Sequence, residues 1–131
     1  MNEIFKWKDE YLIGINEIDE QHKKLFSIAS SFEQSIDLDQ SKNALMNVFQ
    51  YTREHFRLEE GYMKNVNFPG IERHMLEHES FISEFNELVS NFGNSDSERS
   101  NILDFFSHWI VDHICKNDHL LALFVENSAP N

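Results

Sequence analysis

The 131-residue chain carries 11 Lys+Arg against 23 Asp+Glu, a formal net charge of −12, and is 40% hydrophobic and 13% aromatic. That is enough apolar material for the core of one domain, spanning 1–131, and it argues against intrinsic disorder. So acidic a surface repels phosphate backbones and anionic headgroups, and no Lys/Arg cluster offsets it, so neither nucleic acid nor a membrane surface is expected as a partner.

The first segment, residues 1–17, is expected to form an ordered arm carrying Trp7, Tyr11 and Ile13. Its beginning mixes Glu3, Lys6, Lys8, Asp9 and Glu10 among apolar residues, which is not the basic-then-apolar layout of a secretory signal, so a cytoplasmic location is expected. Four long segments with apolar positions at helical spacing follow. The first, about 18–37, places Ile18, His22, Leu25, Ala29, Phe32 and Ile36 on one stripe. The second, about 41–66, runs through Leu45, Val48, Thr52, His55, Phe56, Glu59 and Met63. The third, about 69–91, presents Ile71, His74, His78, Phe81, Phe85 and Leu88, with Pro69 suited to a first helical turn. The fourth, about 96–117, follows a capping box in Ser95-Asp-Ser-Glu98 and carries Ile102, Phe106, Trp109, Ile110 and His113. A short terminal helix, about 119–126, contains the longest apolar run, Leu120 to Val125, far below the roughly 20 residues that span a bilayer. Short connections between the long segments make successive helices antiparallel neighbours. The expected fold is all-α: an up-down-up-down antiparallel four-helix bundle with an N-terminal arm and a short C-terminal helix.

What shares the apolar stripes is more informative than the stripes. His22, His55, His74, His78, His113 and Glu59 all occupy core positions, and a dry interior cannot leave so many donors and acceptors unsatisfied. One such histidine is ordinarily a core residue bonded to a backbone carbonyl; together they call for something polar among them. His55/Glu59 and His74/His78 are i, i+4 pairs, each aimed from one helix face at a common point. Imidazole with carboxylate, and a single cysteine in the chain, suits iron, zinc, copper or manganese rather than calcium or a thiolate site. The imidazoles exceed what one tetrahedral ion uses, so two metal ions bridged by carboxylates are expected. The second carboxylate has two candidates, Asp112 with His108 or Asp118 with His113. His113 continues the apolar line whereas His108 does not. Asp118, about 140° off that line in a regular helix, points inward only if the helix ends or widens near Lys116-Asn117. That distortion is accepted, and His108, Asp112 and His119 are read as surface residues.

The series Asn16-Glu-Ile-Asp-Glu-Gln-His22, His55-Phe-Arg-Leu-Glu-Glu60, Phe68-Pro69, His74-x-x-x-His78 and Trp109-Ile-Val-Asp-His113-Ile-Cys-Lys-Asn-Asp118 resembles the hemerythrin pattern over essentially the whole chain. The resemblance implies two iron ions, with His74, His78 and His113 on one and His22 and His55 on the other. Glu59, Asp118 and an oxo or hydroxo group would bridge them. It further implies reversible dioxygen binding at an open position on the second iron, for storage, transport or delivery, without enzymatic turnover. Ile110 matches the position whose aliphatic side chain closes over the oxygen. Trp109, Phe56 and Ile18 are further lining, with core packing the simpler account of Phe56 and Ile18. Cys115 borders this region and is read as a buried structural thiol.

Other classes fit less well. Ferritin-like oxidases use Glu-x-x-His pairs, and no histidine here has Glu three residues before it. His74-Met-Leu-Glu-His78 matches a zinc-peptidase signature, but that reading leaves the other inward histidines unexplained. Within the di-iron reading, an oxygen or redox sensor acting through a partner and a redox enzyme acting on oxygen, peroxide or nitric oxide stand as alternatives. A chain ending at Asn131 without a signalling extension favours the binding role, with a reductase or an oxygen-consuming enzyme as partner.

Overall fold

The computed structural model describes residues 5–113 and 117–128, and among these every long element is helical. The helices are α1 (Asn16–Glu33), α2 (Leu38–Asn65), α3 (Ile71–Val89), α4 (Asp96–Asp112) and α5 (Asp118–Ser128), preceded by a 3-10 turn at Asp9–Tyr11. Cross-helix contacts fix their directions. At one end, residues from early α1 (His22), late α2 (His55), early α3 (His78) and the end of α4 (His113) meet. At the other, Arg99 at the start of α4 donates to the carbonyls of Phe32 and Glu33 ending α1 and to the Ser41 hydroxyl starting α2. Alternation of starts and ends is the up-down-up-down antiparallel bundle.

Local chemistry sets the helix ends. Ser95 and Glu98 form the reciprocal capping box of α4, and the Asp37 carboxylate accepts from Gln40 N at 2.8 Å to cap α2. α1 stops at Glu33, so Ile36, expected on its stripe, is 83% exposed. Asp37 supplies the next cap only by taking an extended backbone, which ends the first periodicity before Ile36. Pro69 precedes α3 rather than opening it: Phe68 N bonds to Met63 O and Ile71 N to Phe68 O, forming a turn with Gly70 as the N-cap.

Two apolar clusters lie above and below the histidine layer. The larger packs Leu25, Phe32, Phe56, Phe81, Phe85, Phe106 and Ile110 with the arm residue Phe5. The smaller packs Ile13, Ile18, Met63, Phe68 and Leu121, joining the arm and α5 to the bundle. Buried Asp19 fastens the arm, accepting from the amides of Ile13 (2.8 Å) and Gly14 (3.1 Å). Gly14 has φ +90°, a conformation that other residues rarely adopt, and this bend returns the arm over α1. Among the described residues no helix is long and apolar enough to cross a membrane. Cys115 lies outside the described residues, as do residues 1–4 of the expected arm and 114–116 of the expected fourth helix.

Candidate metal centre

Each helix face that buries the core also delivers site residues, because i and i+4 positions project together. All seven sequence-predicted metal residues, His22, His55, Glu59, His74, His78, His113 and Asp118, are buried at 4% exposure or less. His108, Asp112 and His119 are exposed. One ligand atom each from His22, His55, Glu59, His113 and Asp118 falls within a common 4.8 Å. His74 and His78 reach the same carboxylates, with Nε2 atoms 3.3 Å from Asp118 Oδ1 and Glu59 Oε1 respectively.

The carboxylates lie between the imidazoles. Glu59 Oε1 is 3.3 Å from Nε2 of both His78 and His113, whereas Glu59 Oε2 is 3.2 Å from His55 and 3.9 Å from His22. Asp118 Oδ2 approaches His22 at 2.8 Å and His113 at 3.0 Å. Asp118 reaches inward at the start of α5, and the backbone at His113 and Asn117, on either side of the junction with α4, has π-type character.

Of these approaches the His74–Asp118 contact is aligned as a hydrogen bond. Nε2 of His22, His55, His78 and His113, both oxygens of Glu59 and Oδ2 of Asp118 are fully buried with no hydrogen-bond partner. Leaving one such group unpaired costs about 1–3 kcal/mol. Lone pairs facing a shared centre are instead a donor set for cations, and the nitrogen and oxygen mixture fits transition-metal ions.

Partners outside the centre prepare those lone pairs. His78 Nδ1 donates to Glu60 Oε2 at 2.8 Å and His55 Nδ1 to Gln21 Oε1 at 2.7 Å, which fixes each ring with its Nε2 atom facing inward. Sequence reasoning passed over Gln21 and Glu60. Their only signal was adjacency to His22 and Glu59, and Gln21 serves a histidine on the neighbouring helix rather than its own.

Electrostatics follow from burial. Desolvation would raise the carboxyl of Glu59, but the facing imidazole of His113, with those of His55 and His78, holds it well below the ordinary range. Asp118 is lowered: burial and the neighbouring Glu59 oppose ionisation, and His113 and His22 outweigh them. Burial likewise opposes a charged His113, yet Asp118 and Glu59 raise it to about 10. His22 is lowered by desolvation, against the pull of Asp118.

Aromatic rings wall the layer. Phe56 stacks on His78 with centroids 3.8 Å apart and planes 5° from parallel, and Trp109 stacks on His113 at 4.4 Å and 13°. Ile110 and Ile18 are buried on opposite sides, one in each apolar cluster.

Comparison with known proteins agrees with this arrangement. The family model described as "Hemerythrin HHE cation binding domain" matches residues 13–124. A bacteriohemerythrin of Clostridium acetobutylicum is 31% identical over 124 residues, covering 88% of this chain and 96% of that protein. A hemerythrin-like protein of Naegleria gruberi is 30% identical, with 87% of each chain covered. A hemerythrin chain of Sipunculus nudus is 26% identical, with 84% of each covered. With the match running from the arm to α5 through every helix that supplies the buried cluster, the chain belongs to the hemerythrin family.

Proposed function

We propose that the chain is a single hemerythrin-like domain that holds two iron ions and binds dioxygen reversibly, for storage, transport or delivery in the cytoplasm. His74, His78 and His113 would hold one iron and His22 and His55 the other, with Glu59 and Asp118 shared between the two and an oxo or hydroxo group completing the centre. The observation that carries this reading is the division of Glu59: one oxygen faces His78 and His113, the other His55 and His22. A carboxylate serving one ion has no need to face two histidine sets.

When bound, the two irons supply the two electrons that dioxygen takes up on binding and returns on release. The protein's task is then to hold ligands and exclude water. Glu60 and Gln21 fix the imidazoles of His78 and His55 with Nε2 toward the centre. The carboxylates of Glu59 and Asp118 offset the positive charge of the ions, which makes burial tolerable. Phe56 and Trp109 cover the faces of His78 and His113, and Ile110 and Ile18 present hydrocarbon where water would release oxygen and leave the irons oxidised. We read this as a binding role, with a reductase or an oxygen-consuming enzyme as partner.

The test is iron content after anaerobic loading with ferrous iron. Two irons per chain are expected, falling to one or none in His74→Ala, His55→Ala and Glu59→Ala; unchanged content in all three variants would overturn the assignment.

A further inference from the structure

The step from His113 to Asp118 is the irregular point of the site. Five residues of regular helix leave two side chains about 140° apart, yet His113 Nε2 and Asp118 Oδ2 lie 3.0 Å apart. At His113 and at Asn117 the backbone has π-type character, a departure from the regular α-helix that is rare. Asn117 is also tied to another helix. Asn117 Nδ2 donates to Glu77 Oε2 at 2.7 Å, across 40 residues of sequence.

Glu77 stands on α3 directly before His78 and three residues after His74. Its other oxygen is 3.5 Å from Nε of Arg73, whose side chain is 87% exposed, so that ion pair contributes little. The bond from Asn117 is the contact that reaches toward the centre. It joins the helix carrying His74 and His78 to the residue immediately preceding Asp118.

We propose that Glu77 is a positioning residue for Asp118. By accepting from Asn117 it holds the residue that leads into α5 against α3, so that the Asp118 carboxylate enters the cluster beside His22, His74 and His113. The inference rests on the reading of Asp118 as a metal ligand. It gives the glutamate in His74-Met-Leu-Glu-His78 a task unrelated to the general base of a peptidase: it takes a hydrogen bond from an amide at the rim of the site.

The experiment compares wild type, Glu77→Ala, Glu77→Gln, Asn117→Ala and the double variant Glu77→Ala/Asn117→Ala. Ferrous iron is titrated into each anaerobically, and melting temperature is recorded with and without iron. Glu77→Gln keeps an acceptor oxygen and is expected to bind iron as wild type does. Glu77→Ala and Asn117→Ala are expected to bind about 10- to 100-fold more weakly, the range for lost outer-sphere partners. Their iron-free forms should melt close to iron-free wild type, and the double variant should bind no more weakly than either single one, because one bond is being removed. Wild-type affinity in both single alanine variants, or losses that add in the double, would overturn the proposal. Should Glu77→Ala fail to fold, Asn117→Ala carries the test. Failure of wild type to bind iron would overturn the site reading itself, and is distinguishable because it precedes any comparison of variants.

Discussion

At the scale of single residues, the site is a set of ionisable groups that ordinary core packing would reject. His113, raised to about 10 by Asp118 and Glu59, stabilises the iron-free fold fully below its ordinary value, and that contribution is lost as pH rises through about 10. Glu59 and Asp118, both lowered, contribute above their ordinary values and lose that contribution as pH falls through their folded values. His22, held neutral by burial, acts in the same direction once pH falls below its ordinary value. Chemical unfolding of the iron-free protein across pH should therefore show stability falling on both the acid and the alkaline side. A profile flat through about pH 10 would contradict the His113 assignment. Replacing Asp118 should remove iron, whereas replacing exposed Asp112 should leave iron content intact; the opposite result would move the second carboxylate to Asp112. Ile110→Ala, a truncation at 2% exposure, should cost about 2–5 kcal/mol of stability and speed oxidation of the oxygenated form. An oxidation rate unchanged from wild type would remove Ile110 from the oxygen pocket.

At the scale of elements, periodicity made the four long helices legible, because apolar stripes at 3.6-residue spacing report which face is buried. Their ends were less so. Ile36 continued the apolar pattern of α1, yet the chain had already turned toward the Asp37 cap, and a pattern of hydrophobicity carries no information about an extended residue that supplies a cap. The junction after α4 was legible only as a requirement: Asp118 could point inward if the helix ended or widened, and the backbone at His113 and Asn117 has π-type character. The bond from Asn117 to Glu77 joins residues 40 apart and leaves no local trace in sequence. The same applies to Arg99, which donates to Ser35, Ser41, Asn94, Phe32 and Glu33 at the end opposite the site. The arm rests on Asp19 in a comparable way. Asp19→Ala would leave the buried amide of Ile13 unpaired, at about 1–3 kcal/mol, and turn the amide of exposed Gly14 over to water. Faster hydrogen exchange at those two amides is the expected readout, and unchanged exchange would show that apolar contacts alone hold the arm.

At the scale of the whole molecule, the histidine layer sits between two apolar clusters, so the groups that cost the fold most are also those best shielded from water. His22, His55, Glu59, His74, His78 and His113 stood out in sequence because polar side chains interrupted apolar stripes, whereas Asp118 lay off the stripe and entered as the choice between two carboxylates; the family resemblance ordered the set. The tuning partners Gln21 and Glu60 did not stand out, since a polar residue at the edge of a stripe is what any bundle surface carries. Metal that binds only the folded chain must stabilise it, by about 2.7 kcal/mol at a free concentration one hundred times the dissociation constant. The most direct test of the central claim is to load the protein with ferrous iron without oxygen and record visible absorption as oxygen is admitted and withdrawn. Two irons per chain, with an absorption band that grows with oxygen and disappears when it is removed through repeated cycles, is the predicted result. Immediate and irreversible oxidation of the iron, with no band that can be reversed, would contradict it.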